Sequence, residues 1–274
     1  MAWGYPYYEN VPALYCLNVI DFIMKLVPVG PQPLKLLVFP NGFQDLWVRL
    51  AKQLDVHCSS EVTAMQRRAT AGGTRIEMIV NGEQRVYDYV IIATPPSATK
   101  GFLDMSEEER DLFSQVVSRN YHVTVTTVPG VADDRRNVFC YPHTRPEAVG
   151  HVNVWDAPDS AQPVFAAYQN VAWSQTDDEA RQLLASDFAA LSGGTMGRVL
   201  LHRAWNHFAH VETAALDAGF YDRFEALQGK NGTLYATGLL AFEAVESTAR
   251  YARDLVRQFF APAALSHQGA ARVA

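Results

Sequence analysis

A chain of 274 residues, 49% of them hydrophobic, can bury the core of one large domain or two small ones. Its formal net charge of −6 argues against a surface that binds nucleic acid. Three widely spaced cysteines (Cys16, Cys58 and Cys140) predict neither a disulfide framework nor a CxxC metal site. No apolar run reaches the roughly 18 residues of a membrane span, and no signal peptide is recognisable at the start. We therefore expect a cytoplasmic chain that binds no nucleic acid and spans no membrane.

The first predicted element is a helix from about Pro12 to Leu26 that is apolar almost all round. Such a helix is typical of a protein core, or alternatively of the wall of an apolar substrate tunnel to which Leu17 would contribute. The residues before it are rich in aromatic side chains that could line the mouth of that tunnel, namely Trp3, Tyr5, Tyr7 and Tyr8. A linker is predicted at 28–33.

The next region reads as one helix followed by strands. Asn41-Gly42 begins a helix with Leu46, Trp47, Leu50 and Leu54 on one face. Strands are predicted at 56–65, 75–80 and 84–87, the last two joined by the hairpin signal Asn81-Gly82. A buried strand, Val90 to Ala93, is then stopped by Pro95-Pro96.

Two capping boxes mark helices in the middle of the chain. Ser106-x-x-Glu109 begins a helix whose predicted buried stripe is Leu112, Phe113, Val116 and Val117. Thr176-x-x-Glu179 begins a second helix that ends at Gly193. Alternating apolar residues predict strands at 121–128, 151–155, 164–171 and 199–205, and hence a mixed-sheet lobe.

The last ordered segment combines a strand, a glycine and a helix. Leu234 to Ala236 is an apolar strand, Thr237-Gly238 follows, and an amphipathic helix runs to Phe260. Its apolar positions recur at helical spacing: Val245, Ala249, Ala252, Val256 and Phe259. The pattern fits a phosphate-binding turn, in which a helix start offers N–H groups to an anion, and equally a plain strand-turn-helix. An Ala-rich tail, 261–274, is expected to be disordered.

The residues that carry chemistry are scattered along the chain. No G-x-S-x-G, P-loop or HExxH motif is present. His207-x-x-His210 lies in a predicted extended segment without further clustered ligands, so no metal site is predicted. His207, His210 and Tyr168 are candidate proton-transfer groups, and the neighbouring rings of Trp205 and Phe208, with Tyr221, are candidate substrate contacts. Each of these side chains could equally be structural.

Several stretches together resemble one enzyme family. They are YDYVIIATPPSA, WGYPYYENVPALYCLNVIDF, FPNGFQDLW, RPEAVGHVNV, HFAHVETAALDAGFYDRFEALQGKNGTLYATG and YARDLVRQFF. In this order they resemble the flavin-dependent amine oxidase superfamily, and within it the bacterial polyenoic fatty acid isomerases, FAD enzymes that move double bonds in polyunsaturated fatty acids.

The resemblance implies an α/β fold in which an incomplete Rossmann-like FAD lobe interleaves with a mixed-sheet substrate lobe. The implied domains are a helical substrate-lobe segment at 1–36, the Rossmann-like lobe at 37–100 and 230–260, and the substrate lobe at 101–229. It further implies that FAD would contact Val62, Ala93, Pro95, Gly238, Glu243, Ala244 and Val245.

Two of the family's FAD-binding elements are missing from the sequence. No G-x-G-x-x-G is present, and the chain begins where the family is already past that unit. Leu239 stands where the family has an acidic residue after its glycine. We therefore expect weak FAD binding or none by this chain alone, and a partner chain or self-association that covers the open crevice.

Three functions remain open at this stage. The chain could isomerise or oxidise an apolar polyene with a flavin, the missing half being supplied by another polypeptide. It could be an FAD-free isomerase or cyclase that uses only the apolar pocket. It could also be a binding protein without catalysis.

Overall fold

The structure is a computed structural model that describes residues 11–26, 39–157 and 162–260. The helices in that part of the chain are α1 Ala13–Leu26, α2 Phe43–Ala51, α3 Glu107–Ser114, α4 Asp177–Ser192, α5 Thr213–Asp217, α6 Phe220–Glu225, α7 Gly238–Ala241 and α8 Val245–Phe259. The strands are β1 Val62–Thr70, β2 Gly73–Val80, β3 Glu83–Tyr87, β4 Val90–Ile92, β5 Val116–Thr127, β6 Val138–Phe139, β7 Val152–Asp156, β8 Val164–Val171, β9 Val199–Val211 and β10 Thr233–Tyr235. The α/β fold class is confirmed. Tyr5, Tyr7 and Tyr8, the linker and the tail lie outside the described residues.

Two compact units share the chain. Unit 1 takes the described residues within Met1–Ala13, Gln115–Phe220 and Gly238–Thr248. Unit 2 takes those within Leu14–Ser114, Tyr221–Thr237 and Ala249–Ala274. The domain boundaries given above stay a prediction.

Unit 1 is built on a five-stranded sheet in the order β6-β7-β8-β5-β9. All four of these strand pairs are antiparallel, so the sheet of this unit is purely antiparallel and not the mixed sheet that the sequence analysis predicted. Helix α4 shares a core with the sheet, in which Trp155, Phe165, Leu184 and Phe188 are fully buried.

The ends of α4 follow the sequence prediction. Thr176 and Glu179 bond reciprocally in a capping box, and Gly193 ends the helix with a left-handed φ of 70°.

Unit 2 contains the two apolar strands that the sequence predicted at Val90 to Ala93 and at Leu234 to Ala236. β4 pairs with β10 in parallel, with Leu234 opposite Ile91, which confirms the predicted sheet. Leu255 of α8 packs on Leu234 and Ala236, and Phe259 joins this cluster. The antiparallel sheet β1-β2-β3 completes the strands of this unit. Within the described part of the chain, no helix has the length and apolar character needed to cross a membrane.

Three details of the sequence prediction are wrong. Val116 and Val117 do not continue α3; they begin β5, because β-branched residues pair well and β5 has a strand on each side. Of the apolar stripe expected on α8, Ala252 and Phe259 pack against the core beside the buried Leu255, but Val245 and Val256 are exposed. The strand expected from residue 56 begins only at Val62, and the pairing with β2 begins there as well.

Candidate functional site

Three rings form a row on one face of the sheet of unit 1. The Tyr121 and Tyr168 rings are 6.1 Å apart between centroids and nearly parallel, at 24°. The ring of His207 lies 5.1 Å from that of Tyr121 on the other side. The register explains this, because Tyr121 lies on β5, which is flanked by β8 and β9. Two of the three predicted catalytic residues, Tyr168 and His207, are therefore joined through Tyr121.

A carboxylate ends this row. Glu243 Oε2 lies 3.4 Å from His207 Nε2, and both residues belong to unit 1. Burial raises the pKa of Glu243, while His207 and the backbone amides of Ala209 and Phe208 partly oppose that rise. The pair places a carboxyl group with a raised pKa beside an imidazole, which is the composition of an acid–base site. The sequence assigned Glu243 to the cofactor, but here it faces a predicted catalytic histidine.

The phenols of the row are held in their neutral form. Burial raises the pKa of Tyr121, and the nearby Tyr168 adds to this effect. Burial also raises the pKa of Tyr168, as does the charge of Asp156. Asp156 has a buried Oδ1 without a hydrogen-bond partner, and its own pKa is raised by burial. At neutral pH these tyrosines can donate a hydrogen bond but do not act as bases.

Phe208 separates the third predicted catalytic residue, His210, from the row. Phe208 adopts a positive φ of 53°, and the pairing of β9 with β5 shifts register next to it. The His210 ring is stacked on Phe208 with centroids 4.2 Å apart, and its Nδ1 lies 2.8 Å from the Phe208 carbonyl oxygen. His210 is completely buried, and burial lowers its pKa. The structure therefore places His210 and Phe208 in packed positions, not on the half-exposed face.

The remaining predicted substrate contacts are divided between the units. Trp205 pairs with Tyr121 across the strands and is 55% exposed, so it extends the face that carries the row. Leu17 and Tyr221 belong to unit 2, where the Tyr221 hydroxyl lies 2.9 Å from that of Tyr15. The predicted tunnel stays a prediction, since it also requires residues 5–8.

Tyr121 and Asp156 are the site residues that the sequence analysis missed. Tyr121 begins a predicted strand. Its alternation with Val123 and Val125 is the signal that could have placed these three side chains together on one face of the sheet. Asp156 lies at the end of β7, opposite Ala166. Its partner could not be read from the sequence, because strand register is a long-range property.

Part of unit 2 fits the family's cofactor. The parallel strands β4 and β10 end side by side, with Ala236 N donating to Ile92 O at 2.9 Å. Nucleotides bind at the carboxyl ends of such strands. Just beyond them, Ala93 and Pro95 are exposed, and the buried Thr237 hydroxyl has no hydrogen-bond partner. These residues fit a polar edge of FAD, while the predicted contact Val62 lies at the start of β1 in the same unit.

The other predicted FAD contacts lie in unit 1 and do not form a phosphate site. Helix α7, which starts at Gly238, has four residues and offers no extended helix N-terminus. A Cβ on Gly238 would lie 3.4 Å from Glu243 Cγ, an ordinary contact, so the position does not require glycine. Ala244 is buried and Val245 is exposed. The described residues therefore lack a counterpart of the glycine-rich pyrophosphate loop.

A surface pocket of about 710 Å³ lies elsewhere in unit 2. Its lining residues are Lys100, Leu103, Asp104, Met105, Arg110, Phe113 and Ser114. None of the predicted site residues is among them, and it holds no acid–base pair like His207 and Glu243. We therefore assign the candidate site to the row of rings, not to this pocket.

Comparison with known proteins shows the family of the chain. The family model described as flavin containing amine oxidoreductase matches residues 29–228. A curated protein, the FAD-dependent oxidoreductase dpasF of Apiospora sacchari, is 27% identical over 256 residues, which are 85% of this chain and 52% of that protein.

Solved structures share the fold. A fatty acid isomerase from P. acnes that produces CLA superposes with a TM-score of 0.83 at 24% identity, over 94% of this chain and 60% of that one. A protoporphyrinogen oxidase homologue from Exiguobacterium sp. 255-15 gives a TM-score of 0.62 at 15% identity, over 86% and 54% of the two chains. The chain thus spans about half to three fifths of the length of these proteins.

Proposed function

Since the chain belongs to the flavin containing amine oxidoreductase family, we propose that it is the substrate-binding part of a flavoprotein that acts on an apolar, polyunsaturated molecule. The reaction is the migration of a double bond, or the oxidation of such a substrate. The observation that carries this proposal is the row Tyr168, Tyr121 and His207 ending at Glu243. The fold shared with an isomerase that produces CLA supports the choice of substrate class.

The face that bears the row suits a hydrocarbon chain. Val123 and Val125 lie on the same face of β5 as Tyr121, and Leu201 and Trp205 pair with Val125 and Tyr121 from β9. Leu201 and Trp205 are 44% and 55% exposed, so this face offers apolar surface to a ligand. Burying an apolar chain on this face is favourable by about 25 cal/mol per Å².

FAD, when bound, supplies reversible hydride transfer, which allows a double bond to move without net oxidation. We assign its contacts on this chain to the strand ends at Ala93, Pro95 and Thr237. His207 and Glu243 position the substrate and hold or move a proton next to its double bonds. The neutral Tyr121 and Tyr168 exclude water from this place and can each donate a hydrogen bond.

A second function, isomerisation without flavin, is favoured by the raised pKa of Glu243. In this reaction His207 removes a proton from the carbon between two double bonds. The protonated Glu243 then delivers a proton to the far carbon of the resulting allylic system. One proton leaves the substrate and one returns, so the product is an isomer, and transfer of a proton from His207 to Glu243 restores the site.

In this proposal another polypeptide segment supplies the FAD contacts that this chain lacks, those of the glycine-rich loop and of the acidic residue. Helix α2 supports this, because none of its residues is buried and Phe43, Leu46 and Trp47 are all exposed. Such an apolar surface fits a nucleotide-binding partner chain or a second copy. The free cysteines Cys16, Cys58 and Cys140 agree with a reducing, cytoplasmic location.

Flavin absorbance of the purified chain, and conjugated-diene absorbance after incubation with a polyunsaturated fatty acid, test the proposal. We expect the purified chain to hold little flavin, turnover to require a large excess of added FAD, and turnover to fall at least about a hundredfold in His207→Gln or Glu243→Gln. His57→Gln is the matched control, because His57 also pairs with a carboxylate, Asp55 at 2.9 Å, but is far more exposed. Turnover without flavin that still needs both residues would select the second function. Full activity in both site variants would overturn the assignment.

A further inference from the structure

The opposite face of the unit 1 sheet carries a second cluster, formed by His122, His202 and Asp177. His122 and His202 lie on β5 and β9, and Asp177 is the first residue of α4. His122 Nε2 lies 4.0 Å from Asp177 Oδ1, and His202 Nε2 lies 3.7 Å from Asp177 Oδ2. The two imidazole rings are 5.1 Å apart and nearly perpendicular, at 81°. One ligand atom from each residue falls within 4.8 Å of the others.

The ring nitrogens of this cluster are incompletely bonded. His202 Nδ1 lies 2.9 Å from the hydroxyl of the fully buried Thr124, whereas His202 Nε2 is buried without a hydrogen-bond partner. If His202 Nδ1–H donates to Thr124, its Nε2 keeps a lone pair directed toward the carboxylate. The His122 side chain is only 1% exposed, and its Nδ1 also has no partner. An ion bound beside Asp177 would satisfy the unpaired His202 Nε2, whereas on His122 the nitrogen nearest Asp177 is Nε2 and not the unpaired Nδ1.

These atoms are the donors that zinc-like ions prefer. Two neutral imidazoles and a carboxylate, completed by water, form a four-coordinate site with bonds of about 2.0–2.2 Å. Only the neutral form of imidazole binds a metal. In a tetrahedron of that size the ligand atoms are about 3.4 Å apart, so the cluster, whose ligand atoms lie within 4.8 Å of one another, must contract on binding. Asp177 is 58% exposed and can make that adjustment.

Two features of the surroundings oppose a cation at this place. Asn120 Oδ1 lies 3.2 Å from His122 Nε2, and metal binding must displace this contact. The N-terminus of α4 has a partial positive charge, but the first turn contains three acids, Asp177, Asp178 and Glu179, that offset it.

In a second histidine–aspartate cluster of the same unit, the candidate ligand atoms already make hydrogen bonds. In it, His151 Nδ1 and Val152 N already lie 2.8 and 2.7 Å from the two oxygens of Asp187. His143 Nδ1 lies 2.8 Å from the Val152 carbonyl oxygen. Ligation through those atoms would have to break existing hydrogen bonds. The contrast makes the first cluster the better metal site.

We propose that His122, His202 and Asp177 bind one divalent transition-metal ion of the zinc type. The ion joins the first turn of α4 to the strands β5 and β9. It lies on the sheet face opposite Tyr121 and His207, so its role is to fix this unit and not to take part in the reaction.

Titration of zinc into the chelator-treated chain by calorimetry tests the proposal, with cobalt substitution to report tetrahedral coordination. We expect one ion per chain and a rise in the melting temperature. Asp177→Asn should lower the affinity at least about tenfold. Asp178→Asn, in the same helical turn and 79% exposed, is the matched control and should bind normally.

The variant His202→Gln gives a second measurement, and its circular dichroism spectrum checks that it folds. Affinity unchanged by both Asp177→Asn and His202→Gln would overturn the proposal. Loss of binding in His151→Gln alone would do the same, because it would move the ion to the other cluster. Absence of stoichiometric binding in the low-micromolar range would also refute the site.

Discussion

Arg67 and Glu109 form a bidentate ion pair inside unit 2. Arg67 Nη1 lies 2.6 Å from Glu109 Oε1, and Arg67 Nη2 lies 2.7 Å from Glu109 Oε2. Their side chains are only 2% and 4% exposed. Arg67 also donates to Asp104, and the Tyr235 hydroxyl donates to Glu109. The pair therefore connects β1, α3 and β10, the strand that ends at the proposed cofactor edge.

Removing one charge of this pair should be costly. Glu109→Gln leaves the buried Arg67 without its main partner, although Asp104 remains, and we expect a loss of about 3 kcal/mol in the free energy of unfolding. Urea denaturation measures it. Glu108→Gln is the matched control, because Glu108 is 44% exposed and pairs with the surface residue Arg223, so it should cost less than about 1 kcal/mol. Equal losses in the two variants would contradict this account.

The same carboxylate should make stability depend on acid pH. Burial would raise the pKa of Glu109, but hydrogen bonds from Arg67, Tyr235 and the Ser106 amide outweigh it and lower the pKa from 4.5 to about 2. Since the folded-state pKa is the lower one, the folded protein gains stability above pH 4.5 and loses it as the pH falls toward 2. The whole effect is about 3 kcal/mol. Urea midpoints measured across this range should fall in the wild-type chain and fall less in Glu109→Gln.

Local sequence signals predicted the parts of the fold that depend on neighbouring residues. The Thr176 and Ser106 capping boxes and the Gly193 stop are confirmed, because each bond joins residues three or four apart. The parallel pairing of the Val90 and Leu234 strands was accessible through the resemblance to a known family. Val116 and Val117 were misassigned, because only the strands beside β5, far away in the sequence, determine their structure.

The candidate sites depend more strongly than the fold on strand pairing between residues that are far apart in the sequence. Tyr121 meets Tyr168 and His207 through the order of β8, β5 and β9, which no motif encodes. His122 and His202 lie 80 positions apart and come together through the pairing of Thr124 with His202. Single residue types were recognisable from the sequence, but their assembly required the register.

A pair of glycines should respond to alanine in opposite directions. Gly193 has a φ of 70°, and a Cβ added there would meet no atom within 4 Å, so Gly193→Ala should cost about 1–2 kcal/mol through backbone strain alone. Gly72 also has open space but no positive φ, so Gly72→Ala should be neutral or stabilising by up to about 1 kcal/mol. Thermal unfolding of both variants checks this. A loss of the same size at both positions would show that conformation is not the cause.

Trp205 offers a test of the substrate face that does not depend on chemistry. Its ring is 55% exposed and lies on the face of Tyr121. If this face binds a hydrocarbon chain, Trp205→Ala should weaken binding of a fluorescent conjugated polyene by about tenfold, or roughly 1.4 kcal/mol, because a large apolar contact is lost. Since the side chain is mostly exposed, the free energy of unfolding should change by less than about 0.5 kcal/mol.

Trp173→Ala is the matched control for this experiment. Trp173 belongs to the same unit, is 65% exposed and lies in the turn after β8, away from the row of rings. We expect its replacement to leave polyene affinity within about twofold of the wild-type value, because it removes an exposed tryptophan that is not part of the row of rings. Fluorescence titration of the two variants separates a specific binding face from general adhesion of apolar molecules to exposed tryptophan. If both variants bind equally well, the substrate does not lie on this face, and the role given to the Tyr121 row must be abandoned.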